Sequence, residues 1–102
     1  MASQKEYLEF ILDQFSDSDT VTYRAMMGEF LLYYRGRLFG GIYDNRLLIK
    51  PVPAAIDYMK PAQYALPYPG GKEMLMVENV DDRDFLSGLL QAMYPQLPEP
   101  KK

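Results

Sequence analysis

The sequence contains no cysteine and no histidine. Without cysteine there is no disulfide, no thiolate nucleophile and no thiolate-ligated zinc or iron–sulfur site. Without histidine, the commonest general base at neutral pH and the commonest metal ligand are both missing. The expectation is therefore a protein with no catalytic residue, no cofactor and no metal. Long apolar runs are missing too. The first apolar stretch is broken by Glu6, Glu9 and Asp13, so it suits neither a signal peptide nor a membrane span. Nothing points to export, which makes the cytoplasm the expected location and membrane contact unexpected. A net charge of −3 gives no global attraction to nucleic acid or to anionic lipid.

What is present suffices for a core. The 102 residues fit one domain, and 48 % of them are hydrophobic, 14 % aromatic. A chain of this size buries on the order of two-thirds of its unfolded surface without needing staples. Charge is unevenly spread. Residues 1–21 carry a net −4, residues 22–50 a net +3, and the remainder −2.

The pattern predicts an α+β fold. Ser3 and Glu6 have capping-box spacing, and Leu8, Ile11, Leu12 and Phe15 follow as one helical stripe, with Glu9, Asp13 and Gln14 facing away. This predicts a helix over roughly residues 4–15, stopped by Ser16-Asp17-Ser18-Asp19. A strand opens at Val21-Thr22-Tyr23, with Gly28 as a bulge or bend within it. Phe30–Tyr34, Leu38–Tyr43 and Leu47–Ile49 follow, joined by Arg35-Gly36 and Asp44-Asn45 as tight turns, an antiparallel meander that Pro51 and Pro53 end. A short helix with Pro53 in its first turn comes next, then an extended piece over Tyr64–Tyr68 and a strand within Lys72–Val80. Asp81, Asp82 and Asp84 cap a C-terminal helix whose stripe is Phe85, Leu86, Leu89, Leu90 and Met93, and Pro95 stops it. Residues 95–102 read as a tail.

Two-residue hairpin turns fix which residues face each other across the meander. Tyr34 then opposes Arg37, Leu32 opposes Phe39, Tyr43 opposes Arg46 and Phe39 opposes Lys50. One face collects Leu31, Tyr33, Leu38, Ile42, Leu47 and Ile49 and is expected to carry the core. The other collects Tyr34, Arg37, Phe39, Tyr43, Arg46 and Lys50, with Leu32 and Leu48, a mixture of rings and cations. These six are the candidate interaction face. Three readings stay open for it: cross-strand packing with cationic stems laid over the rings, a protein interface that includes self-association, or a surface for single-stranded nucleic acid.

Other motifs carry less. Asp81, Asp82 and Asp84 lack the ligand spacing of a calcium loop and read as a solvated cap. Pro69-Gly70-Gly71-Lys72 is too short for a phosphate-binding loop and reads as a turn. The seven methionines read as adaptable core filler. Asp44 has Arg46 and Lys50 within reach for a cross-hairpin ion pair. No nucleophile–base–orienter set is visible, and an enzyme built on carboxylates and tyrosine ranks below a binding role.

Met26-Met27-Gly28, Arg35-Gly36-Arg37-Leu38-Phe39, Tyr43-Asp44-Asn45-Arg46-Leu47-Leu48-Ile49-Lys50 and Ala65-Leu66-Pro67-Tyr68, in that order, resemble the N-terminal domain of the TfoX/Sxy competence-regulator family. The likeness covers about residues 5–94. It departs from the family pattern at Met27, Glu29 and Leu48, where Phe, Gly and Tyr are usual. The resemblance implies a stand-alone copy of an α+β domain without the second, helical domain of the full regulators. It further implies bacterial transcription co-regulation through protein contacts, with no enzymatic activity or cofactor.

Overall fold

A computed structural model describes residues 4–15, 21–26 and 28–98. The first helix, α1 (Lys5–Gln14), forms where expected and buries Leu8, Ile11 and the following Phe15. Gln14, expected to face solvent, is buried as well. Gln4 occupies the N-cap with no side-chain cap bond; Ser3 of the expected capping box and the Ser16–Asp19 stop lie outside the described residues.

Six strands follow from the described residues: β1 (Val21–Met26), β2 (Glu29–Tyr34), β3 (Arg37–Ile42), β4 (Leu47–Ile49), β5 (Tyr64–Ala65) and β6 (Met74–Val77). They form one sheet in the order β1-β2-β3-β4-β6-β5, every neighbouring pair antiparallel. Gly28, at φ +84°, belongs to a hairpin in which Met26 faces Glu29, and not to a bend within one strand. The other two tight turns take Arg35 and Gly36, then Asp44 and Asn45, through positive φ, the mirror-image turn whose twist matches that of the strands.

Between β4 and β5 lies α2 (Pro53–Tyr58), with Pro53 at its first position, where the missing N–H costs nothing. The last helix, α3 (Arg83–Met93), is capped by Asp82, whose carboxylate accepts from the Phe85 N–H at 3.0 Å. It buries Leu86, Leu89, Leu90 and Met93, and a single 3₁₀ turn, Tyr94–Gln96, follows at Pro95. The expected tail starts too early. Leu97 is buried in the core, and its carbonyl accepts from Arg37 at 3.2 Å. Apolar residues of α1, α2 and α3 meet one face of the sheet in a single cluster. A radius of gyration of 12.5 Å matches the roughly 13 Å expected of one domain this long.

The register carries one correction. Tyr34 faces Arg37 and Tyr33 faces Leu38 as expected, but Leu32 then faces Gly40, so Phe39 is an extra residue. This bulge exchanges the two faces of β2, and of Arg37–Phe39 at the start of β3, relative to the rest of the meander. The second hairpin keeps its expected register, with Gly41 on Leu48 and Ile42 on Leu47. The core face therefore holds Leu32 in place of Leu31, together with Ile42, Leu47, Ile49, Leu75 and Val77.

Candidate functional site

The bulge divides the six candidate residues into two groups. Phe39 is fully buried against the helices, its ring edge-on to Phe15 at 5.8 Å. Tyr34 packs edge-on to Tyr94 at 5.6 Å. The Arg37 guanidinium lies 4.5 Å from the centre of the Tyr94 ring, while its buried Nε has no hydrogen-bond partner. Arg35 approaches the same ring at 5.5 Å, so Tyr94 is flanked by two cations. Tyr34 and Arg37 thus lean on the 3₁₀ turn after α3, and Phe39 packs on Phe15 at the end of α1. Of these three, only Phe39 defeats the expectation of a partly exposed contact face, because one inserted residue turned it fully inward; Tyr34 and Arg37 stay half-buried.

Tyr43, Arg46 and Lys50 remain together on the outer face, where Gly41 faces Leu48 and Leu48 faces Met76. The Tyr43 ring lies over Gly41, which has no side chain to displace it. Arg46 is tied into the structure from both sides: Nε donates to the Tyr43 carbonyl at 3.2 Å, and a terminal nitrogen donates to the Leu66 carbonyl at 3.0 Å. The second bond pins the segment after β5 across this face. Tyr68 follows, with its ring 6.4 Å from that of Tyr43. The expected cross-hairpin ion pair does not form; the Asp44 N–H instead donates to Glu29 at 3.0 Å.

The pinned segment and the sheet enclose a cleft of about 530 Å³. Tyr43 and Tyr68 supply rings, Pro51 and Pro67 rigid walls, and Lys50 and Lys72 the cations. Glu73 lines it too. Among the described residues neither lysine has an ion pair; the pairs present are Lys60–Asp57 and Arg83–Asp13. On the other side of Pro67 and Tyr68 a second cavity of about 380 Å³ is lined by Glu29, Asp44 and Arg46. Burial, with the nearby Tyr68, Glu29 and Tyr33, pushes the Tyr43 hydroxyl above its ordinary pKa of 10.0. Tyr43 is therefore a neutral hydrogen-bonding ring at physiological pH and not a base.

Sequence reasoning missed Leu66, Tyr68 and Lys72. The signal was there: Pro67 and Pro69 have no N–H to give a ladder, so the chain leaves the sheet after Ala65 and bends through Pro67 and Tyr68 into the turn at Pro69-Gly70. Leu66 is 45 % exposed and Tyr68 58 %.

No family model and no solved structure matches the chain. It is 31 % identical over 102 residues to a protein of Spirochaeta aurantia described as an uncharacterized 12.7 kDa protein in the trpE 5′ region. The match takes in 99 % of this chain and 89 % of that one. An identity of this size over nearly both lengths is shared ancestry, and the chain belongs to the family of that Spirochaeta aurantia protein.

Proposed function

We propose that this chain is a non-enzymatic cytoplasmic regulatory module, of the kind its TfoX/Sxy resemblance implies, and that its outer cleft holds an extended acidic segment of a partner protein. One observation carries this reading. Lys50 and Lys72 line a cleft walled by tyrosine and proline, and neither cation is neutralised by an ion pair among the described residues. Rings and prolines give an ordered, low-entropy contact surface, and the free ammonium groups favour carboxylates. Nucleic acid fits less well. Two lysines make a spot, not a track for a backbone.

The test is affinity capture from the native cell with wild type and a Lys50→Glu/Lys72→Glu variant of matched thermal stability. The expected outcome is one stoichiometric partner, retained through an acidic segment by wild type and lost by the variant. Equal capture by both proteins would remove the cleft from the reading. Retained material that nuclease releases, and that salt elutes steeply, would shift it to the nucleic-acid adaptor.

A further inference from the structure

We propose that the outer edge of β1 pairs with the same edge of a second copy of this chain, continuing the sheet across a two-fold axis. The two ends of the sheet differ. β5 is two residues long and lies between Pro61 and Pro67, so it offers almost no ladder. β1 is six residues long, and every residue of it except Val21 is exposed. Sheets ordinarily blunt such an edge with lysine, proline or a bulge; in β1 the sole charge is Arg24.

The backbone makes the edge ready to pair. Antiparallel ladders alternate between residues bonded inward and residues whose N–H and C=O point away. Counting from Met26 and Glu29, the pair that closes the hairpin, Arg24 and Thr22 bond to β2, and Val21, Tyr23 and Ala25 point outward. Among the described residues β1 has β2 as its single strand neighbour, and no backbone bond reaches those outward groups.

The occupant follows from self-complementarity. A two-fold axis normal to the sheet keeps both helix layers on one side and requires the central residue to face itself. That residue must be one with outward groups. Centring on Val21 or Ala25 leaves Tyr23 with no β1 residue opposite it. Centring on Tyr23 sets Val21 against Ala25 of the second copy and uses the outward donors and acceptors of all three residues. It also sets Arg24 against Thr22 of the second copy, avoiding an arginine pair. The Tyr23 rings, each edge-on to Phe30 at 5.9 Å, meet across the axis. A contact this narrow is at the small end of specific interfaces, which fits a reversible dimer. It leaves the outer cleft untouched.

The register assigns a sign to one position. Thr22 is exposed and faces Arg24 of the second copy, so Thr22→Glu should tighten the dimer and Thr22→Lys should loosen it, each about two- to five-fold at low salt. Sedimentation of the full chain across a concentration series reads this directly. Amide exchange gives a second view: the N–H groups of Tyr23 and Ala25 should become protected as concentration rises, while that of Arg24 stays constant. A chain that remains monomeric up to millimolar concentration overturns the proposal. So does a dimer that responds equally to both Thr22 variants, because its interface would lie elsewhere.

Discussion

A Cβ on Gly40 would run into the Leu48 carbonyl oxygen, and one on Gly41 would lie 2.6 Å from the Phe30 carbonyl oxygen. These two residues let β3 pass close to its neighbours just after the Phe39 bulge. Gly41→Ala should cost about 1–3 kcal/mol in chemical denaturation, since a backbone oxygen cannot swing aside as a side chain would. The bulge was not legible beforehand, and the reason is local. Leu31-Leu32, Leu38-Phe39 and Leu47-Leu48 are apolar doublets, so a slip of one residue exchanges one large apolar side chain for another, and the one polar group it carries inward, Arg37, finds Tyr94 and the Leu97 carbonyl. Paired truncations separate the two registers. Leu32→Ala should cost about 2–5 kcal/mol, as should Ile42→Ala, and half-buried Leu31→Ala about 1 kcal/mol. The reverse order for the leucines would restore the unbulged register. Tyr43 adds a pH dependence. Its folded pKa is raised above the ordinary 10.0, mainly by burial, so folding favours the protonated ring. That contribution is complete below the unfolded pKa and is lost as pH rises through the folded one. Thermal midpoints taken from about pH 8 to about pH 11 should fall at the alkaline end, and less so in Tyr43→Phe.

At the level of elements, local chemistry was enough where a residue type permits one backbone geometry. Asp44-Asn45 and Arg35-Gly36 are turns because the mirror-image turn needs positive φ; Pro53 opens α2 and Pro95 stands just past α3 for the reasons proline always gives. The Asp82 cap is of the same kind, and Asp82→Ala should destabilise by about 1 kcal/mol in a denaturant titration. The Arg83–Asp13 pair that links α3 to α1 is exposed, and breaking it should cost far less. Legibility failed where a tertiary contact decides. Nothing near Leu97 says that it will be buried beneath Arg37, and nothing near Gly28 separates a bend in one strand from a turn between two. Those outcomes depend on residues sixty positions away or on which strands become neighbours.

Across the whole molecule, the cations of the basic middle third are dispersed: Arg24 lies exposed on β1, and the other four have two fates. Arg35 and Arg37 flank Tyr94 on the helix side, and Arg46 and Lys50 remain on the outer face, where Lys72 joins Lys50 in the cleft. Half of the candidate face was thus legible as ring-and-cation chemistry. Of the other half, Phe39 went into the core and Tyr34 and Arg37 into contacts with Tyr94, and the cleft's second wall came from a proline-bounded segment that has no periodicity to read. The most direct test of the cleft as a protein-binding site is site-specific photo-cross-linking in the native cell. A photoreactive phenylalanine analogue at position 68 is compared with one at the exposed helix position Gln91. The expected result is a single protein adduct from position 68, mapped to an acidic stretch of the partner, and none from position 91. No adduct from position 68, or the same adducts from both positions, would contradict a partner seated in the cleft.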